Sequence, residues 1–99
     1  MIVTIAEFQA SLAAADPPAG LDSALCALWH AAKGDWHKAH ELAQSRDDEI
    51  GAWVHAYLHR VEGDESNAGY WYRRAGVSHS RAPLQQEWQE IAAALLKRR

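Results

Sequence analysis

Apolar residues recur at intervals of three and four along most of this chain, which is the spacing of one buried face of an α-helix. Four stretches show the pattern clearly, and each is long enough to form a helix. These stretches contain Ile5, Phe8 and Leu12; Leu21, Ala24, Leu25, Leu28, Trp29 and Ala32; Ile50, Trp53, Val54, Tyr57, Leu58 and Val61; and Leu84, Trp88, Ile91 and Leu95.

Capping signals set the predicted ends of the helices. Thr4 and Glu7 have the spacing of a capping box, in which each side chain bonds the other residue's backbone N–H. Gly34 and Gly63 each close a helix, and the aspartate that follows each glycine can cap the next helix. Pro83 suits the first position of the last helix. The six predicted helices cover about residues 5–14, 18–33, 36–45, 48–62, 65–75 and 83–98.

Length and composition favour one helical domain. The chain has 99 residues, of which 48% are hydrophobic, enough for one compact core and too few for two ordinary domains. Alanine and five tryptophans carry much of the apolar content, while isoleucine, valine and threonine are sparse, which favours helix over sheet. We therefore predict an all-α fold in a single domain that spans residues 1–99.

The second to fifth predicted helices contain an internal repeat. Aligning Gly34-Asp35 with Gly63-Asp64 gives a period of 29 residues, and the apolar positions fall in register as well. Each unit is a helix, a Gly-Asp turn and a second helix, stacked on its neighbour because neither unit buries its apolar face alone. The units cover about residues 21–46 and 50–76, and the last helix caps the stack. The alignment places Ala27 on Ala56, His30 on His59 and Ala39 on Ala68.

This repeat resembles the tetratricopeptide superfamily, in which a small residue on the first helix is followed by a Gly-Asp-aromatic turn and an alanine. The first unit has Ala27, Gly34-Asp35-Trp36 and Ala39, and the segment AGYWYRRAG at 68–76 is similar to the Sel-one-like branch. The resemblance implies two stacked hairpins and a protein or peptide partner, by analogy of fold. The period is shorter than usual, Glu65 replaces the second turn aromatic, and histidine replaces the first-helix aromatic in both units.

A closer likeness concerns the block HAYLHR, Gly63-Asp64 and NAGYWYRRAG, which covers residues 55–60, 63–64 and 67–76. This block resembles one found in small bacterial proteins that have no assigned activity. It therefore brings no function with it, and the candidate sites below depend on the residues themselves.

His55 and His59 lie one helical turn apart in the stretch WVHAYLHR. On a helical wheel both are far from the centre of the apolar stripe, which by itself favours exposure to water. The repeat register instead places them, with Ala52 and Ala56, on the face that meets the second helix of the same unit. We follow the register, because small alanines let that helix approach and its polar groups satisfy the ring nitrogens. The predicted polar seam comprises His30, His55, His59, Tyr70 and Tyr72.

A metal site is the more specific alternative to the polar seam for the same histidines. Cys26, His30, His55 and His59 form a Cys-x3-His and a His-x3-His pair, a formally plausible zinc set. Equivalent faces of stacked repeats point the same way, however, and no Cys-x2-Cys spacing is present, so Cys26 is predicted to be a small buried residue.

His37 and His40 lie three residues apart on the third helix, near Glu41. They could hold a surface cation weakly, but an exposed helical face is the favoured interpretation. His79, in the loop before the last helix, gives no signal of its own.

The aromatic residues of the fourth helix offer a binding groove. In the tetratricopeptide register Trp53, Tyr57 and Arg60 line the concave surface, and these residue types are enriched at binding hot spots. Core packing is the alternative, with the last helix filling the groove. The predicted groove residues are Trp53, Tyr57, Arg60, Arg73 and Arg74.

Charge and motifs narrow the function classes. A net charge of −3 gives no reason to expect nucleic-acid binding, which requires clustered lysine and arginine. Residues 1–18 lack the basic start of a signal peptide and the apolar length of a membrane span, and a single cysteine suits a reducing cytoplasm.

We therefore expect a small cytoplasmic adaptor module that binds a protein or peptide, with no cofactor. No recognised catalytic motif is present, so an enzyme is not favoured. The alternatives are a metal-binding protein or enzyme that uses the histidine seam, and a homodimer in which the aromatic stripes pair.

Overall fold

The computed structural model describes residues 4–97, and the described chain forms six α-helices with no strand. This confirms the predicted all-α fold. None of the helices between residues 4 and 97 combines the length and the apolar character needed to cross a membrane. The helices are α1 Ile5–Ala10, followed by a 3-10 turn Ser11–Ala13, α2 Ser23–Ala32, α3 Trp36–Gln44, α4 Glu49–Val61, α5 Glu65–Ala75 and α6 Leu84–Lys97.

Side-chain caps fix where the helices begin. Thr4 and Glu7 form the predicted capping box, with hydrogen bonds of 2.9 and 3.0 Å. The second helix begins about five residues later than predicted, because Asp22 caps it by accepting the N–H of Leu25 at 3.0 Å. The predicted end of α6 at residue 98 lies outside the described residues.

The two Gly-Asp turns adopt the same backbone conformation. Gly34 and Gly63 have φ angles of 87° and 86°, in the left-handed region that glycine enters without steric cost. In each turn the N–H of the next aspartate donates to the carbonyl four residues before the glycine, at 2.9 and 2.8 Å. The hairpins α2–α3 and α4–α5 therefore turn alike, 29 residues apart.

Helix α6 packs against α1, α2 and α4 and closes the main core. Trp88 stacks on Phe8 with ring centroids 5.5 Å apart, and its indole N–H donates to the carbonyl oxygen of Leu28 at 2.8 Å. A smaller apolar cluster, around Ala56 and Ala68, lies between α4 and α5. The last helix thus lies across the first helices of both hairpins.

Three positions differ from the helical-wheel expectation. Glu87 lies outside the predicted apolar stripe of the last helix but is only 2% exposed, while Val61 and Leu84 of the predicted apolar stripes are exposed. Glu87 is drawn inward because it bonds the guanidinium of Arg60 and the hydroxyl of Tyr72. A wheel cannot show this, since both partners belong to other helices.

Candidate functional site

Three histidines from two helices meet between α3 and α4. One nitrogen from each of His40, His55 and His59 can be chosen so that all three atoms lie within 4.8 Å of one another. His55 and His59 are buried, at 5% and 6% exposure, and His40 is half-buried. We call these residues the three-histidine cluster.

Helix spacing and small residues create this meeting point. His55 and His59 are one turn apart on α4, and His40 is one turn after Trp36 on α3. The two helices approach closely where Gly51 faces Arg46: a Cβ at position 51 would lie 2.5 Å from the Arg46 carbonyl oxygen. Glycine at 51 is therefore what allows α3 to bring His40 to α4.

Two indole rings flank the three-histidine cluster. His55 stacks on Trp71 of α5, with centroids 3.8 Å apart and planes 12° apart. On the other side His40 stacks on Trp36 at 4.9 Å, and the N–H of Trp36 donates to the carbonyl oxygen of Leu58 at 2.7 Å. The indoles contact the imidazole rings through the ring faces, so these contacts do not use the imidazole nitrogens.

The three imidazoles also contact one another. His55 and His59 are nearly parallel, with centroids 4.9 Å apart, and the His40 ring meets His55 edge-on at 4.5 Å. Charged imidazolium rings would repel at such distances, so this packing favours neutral rings.

A carboxylate orients the third ring. Nδ1 of His59 donates to Oε2 of Glu62 at 2.6 Å, across one turn at the end of α4. Because an ionised carboxylate only accepts hydrogen bonds, this contact places a proton on Nδ1, and in the neutral form of the ring the lone pair is then on Nε2. A histidine held in this way by a carboxylate is the usual arrangement at a metal site.

Burial keeps two of the rings uncharged at neutral pH. Desolvation, with a further contribution from His40, His59 and Arg74, lowers the pKa of His55 to about 4. Desolvation also lowers the pKa of His40, and the neighbouring His59 adds to the effect. Neutral imidazoles are the form that binds metal ions.

Such a cluster can act as a nitrogen-ligand set. A tetrahedral ion with Zn–N bonds of about 2.0–2.1 Å needs nitrogens roughly 3.3 Å apart, so the rings must draw together by about 1.5 Å at most.

The predicted seam is only partly present. His55 and His59 face inward as the repeat register predicts, but their ring neighbours are tryptophans and histidine, not tyrosines. Tyr70 is 46% exposed, and the hydroxyl of Tyr72 points to Glu87 of α6 instead. The tyrosine part of the prediction is therefore wrong, because α6 supplies a carboxylate that competes for Tyr72.

The four-residue metal set of Cys26, His30, His55 and His59 is not assembled. Only His55 and His59 belong to a group of close ligand atoms. The thiol of Cys26 lies 3.8 Å from the Leu21 carbonyl oxygen, and burial, followed by the Asp22 charge, raises its pKa. His30 packs edge-on against its neighbour Trp29. The equivalent faces of the two hairpins thus do not converge, as the sequence argument anticipated.

His40 is the residue that the sequence argument missed. His37 is exposed as predicted, but the assignment of His40 to the same exposed face is wrong. The spacing of Trp36, Ala39 and Ala43 marks a buried face that includes position 40, and this was the available signal. His40 contacts α4 because the two hairpins pack against each other. The periodicity of a single helix does not predict how hairpins pack.

The predicted aromatic groove is covered by α6 along much of its length. Tyr57 is buried, and Arg60 bonds Glu87 at 2.7 Å and the Ala82 carbonyl oxygen at 2.9 Å. Burial and the charge of Glu87 raise the pKa of Tyr57 to about 12, so its hydroxyl stays protonated. Of the two possibilities for these residues, the structure shows core packing at Tyr57 and a buried ion pair at Arg60.

The remaining groove residues face elsewhere. Trp53 lines a shallow depression of about 180 Å³ beside Ala75 and Val77. Arg73 and Arg74 are both exposed on α5, and the Arg74 guanidinium lies over the Trp71 ring at 5.1 Å. The five predicted residues therefore do not form one surface.

A larger open cleft of about 470 Å³ lies where α4, α5 and the loop before α6 meet. It is lined by two arginines and one acidic residue. The Arg60 Nε lies 3.8 Å from Oε2 of Glu65, and Glu65 bonds His79 at 2.7 Å. The cleft does not include the three-histidine cluster. Its lining residues are Arg60, Glu65, His79, Ser80 and Arg81.

Relationships to known proteins give no assignment for this chain. No protein-family model, no curated protein and no solved structure matches it. The functional assignment therefore depends on the geometry of the three-histidine cluster.

Proposed function

We propose that this protein binds one divalent transition-metal ion at His40, His55 and His59. The observation that carries the proposal is the approach of three imidazoles, from two helices, to within 4.8 Å of one another. This is the metal-binding alternative of the sequence analysis with a different ligand set, in which His40 replaces Cys26 and His30.

The surroundings support a ligand role over simple core packing. Within residues 4–97, neither His40 nor His55 forms a side-chain hydrogen bond, and both contact aromatic rings instead. In the described chain only Arg60 Nε is a buried side-chain nitrogen or oxygen without a hydrogen-bond partner, so the nitrogens of His40 and His55 keep contact with solvent and are free to coordinate an ion. A bound ion would satisfy both rings at once.

Ligand chemistry narrows the choice of ion. Imidazole nitrogens suit zinc, copper, nickel and cobalt, whereas magnesium and calcium prefer oxygen ligands. We therefore expect binding of Zn²⁺ and of its spectroscopic substitute Co²⁺, and none of Mg²⁺ at similar concentration.

Calorimetric titration of the tag-free, metal-stripped protein with Zn²⁺ at pH 7.5 tests the proposal. We expect one ion per chain, and at least tenfold weaker binding when any one of the three histidines is replaced by alanine, because each supplies one of three ligands. The expected rise in thermal stability with Zn²⁺ follows from binding to the folded state alone.

The matched control is His37→Ala, which removes an exposed histidine three residues before His40 on the same helix. Its affinity should equal that of the parent protein. Binding of less than a tenth of an equivalent of Zn²⁺, or an equal loss of affinity in His37→Ala and His40→Ala, would overturn the proposal. The second result would indicate a surface site on α3 that uses His37, His40 and Glu41.

Partner binding stays a prediction, as does the tetratricopeptide-like affiliation that implies it. A peptide can enter the predicted groove at Tyr57 and Arg60 only if α6 leaves, because α6 covers both residues. A homodimer through the aromatic stripe meets the same obstacle, and light scattering of the purified protein tests it. Cytoplasmic location likewise stays a prediction.

A further inference from the structure

The three-histidine cluster leaves one coordination position of a tetrahedral ion without a protein ligand. Resting on the proposed metal function, we propose that the bound ion keeps one exchangeable position, which takes the carboxylate group of a small molecule, and that Arg74 is the second contact of that carboxylate.

The protein supplies three ligands at this point. Among residues 4–97, the group of close ligand atoms that contains His40 and His55 has only His59 as its third member. The Glu62 carboxylate is engaged by Nδ1 of His59, on the side away from the lone pair. The flanking indoles of Trp36 and Trp71 have no lone pair to give. Three protein ligands with a fourth position left open is the pattern of reactive zinc sites, whereas structural sites are closed by four.

The open position can be reached from solvent. His55 and His59 form the buried floor of the cluster, while His40, Trp36 and Trp71 are half-buried at its rim. The partial exposure of these three side chains leaves the ring nitrogens in contact with solvent, and the burial of His55 and His59 favours a ligand of a few atoms over a bulky one. This favours a small molecule over a folded partner.

The charge near the rim favours an anion. The Arg74 guanidinium lies 5.1 Å from the centre of the Trp71 ring, and the His55 ring stacks on the same indole with centroids 3.8 Å apart. Its ion pair with Asp47 is loose, at 3.8 Å, and the Asp47 side chain is almost fully exposed, so water competes for both groups. Arg74 can therefore turn to a ligand at the rim.

A carboxylate fits these two contacts better than other small anions. Carboxylate oxygens are established zinc ligands. The planar guanidinium of arginine also presents two parallel N–H groups that match the two oxygens of a carboxylate. One oxygen on the ion and the other on Arg74 would satisfy both groups.

Absorption spectroscopy of the Co²⁺-loaded protein tests the inference. Azide is the first probe, because an anion that enters the coordination sphere changes the donor set of Co²⁺ and shifts its visible bands, and acetate is the second. We expect both to shift the bands saturably. Arg74→Gln should leave the Co²⁺ spectrum itself unchanged and weaken acetate binding roughly two- to fivefold, the range of a partly exposed charge contact.

Arg73→Gln is the matched control, since it removes the same charge from the preceding residue, whose guanidinium lies near position 69. It should bind acetate like the parent protein. Absence of a shift with azide or acetate, or equal acetate affinity in the two arginine variants, would overturn this inference and leave the metal proposal standing. Failure to form the Co²⁺ spectrum at all would instead overturn the metal proposal.

Discussion

At the scale of single residues, His55 shows how burial changes a side chain's chemistry. Its ring lies against Trp71 on one face and near His59 on the other, with His40 at its edge. Water is excluded from all three sides, and protonation would place a charge among neighbours that cannot solvate it. His55 is thereby kept as a neutral nitrogen base under conditions where an exposed histidine titrates.

This burial predicts a pH-dependent stability for the metal-free protein. The pKa of His55 falls from an ordinary value of 6.5 to about 4 on folding. Between these values the unfolded chain binds a proton that the folded chain does not, so stability is complete above about pH 6.5 and is lost as the pH falls toward 4. Urea unfolding with a chelator present should show a loss of about 1 kcal/mol between pH 7.5 and pH 5.5 from this residue.

The control for the pH effect is His55→Phe, which keeps an aromatic ring against Trp71 and removes the titrating group. Its stability should vary less over the same interval, while His37→Ala should behave like the parent protein. Identical pH profiles for the parent and His55→Phe would show that His55 does not carry the effect.

At the scale of the helices, the approach of α3 to α4 depends on one glycine. Gly51 lies against the last turn of α3 and the connection to α4, with atoms of Arg46 and the Ala43 carbonyl oxygen as its nearest neighbours. A larger side chain at position 51 would push α3 and α4 apart and move His40 away from His59. Helix packing and the three-histidine cluster therefore share this contact.

Two glycine-to-alanine changes should have opposite effects on stability. Gly51→Ala places a Cβ 2.5 Å from the Arg46 carbonyl oxygen and should cost about 1–3 kcal/mol, because backbone atoms must shift. Gly69→Ala, in the middle of α5, meets no atom closer than 3.5 Å and should stabilise the protein by about 0.5–1 kcal/mol through helix propensity. Chemical denaturation measures both, and a loss of stability in Gly69→Ala as large as in Gly51→Ala would contradict this account of the contact.

At the scale of the whole molecule, α6 decides which surfaces remain available. It buries Trp88 and Ile91 against the first helices of both hairpins and takes the place that a peptide would occupy in an open groove. Its Glu87 also joins α4 and α5, through Arg60 and Tyr72, into one buried network. The last helix is thus both part of the core and the cover of the groove.

Removing the charge of Glu87 should destabilise the fold strongly. Glu87→Ala leaves the Arg60 guanidinium, whose side chain is 11% exposed, without its carboxylate, and the expected cost is about 3–5 kcal/mol in urea unfolding. Glu90→Ala, one turn on and exposed, removes only a surface hydrogen bond with Gln86 and should cost less than about 0.5 kcal/mol. Similar costs for the two variants would mean that the buried pair does not hold α6 in place.

The sequence by itself determined the helices and the matching turns, because these depend on contacts within a few residues: Thr4 with Glu7, and the left-handed Gly34 and Gly63. The start of α2 at the Asp22 cap is equally local, but the prediction missed it. The repeat register also predicted that His55 and His59 face inward. Only the tertiary structure decided that His40 joins them, that Glu87 is buried and that α6 covers Tyr57. Each of these outcomes depends on a residue far away in the chain, and the periodicity of a single helix carries no information about which helix will pack against it.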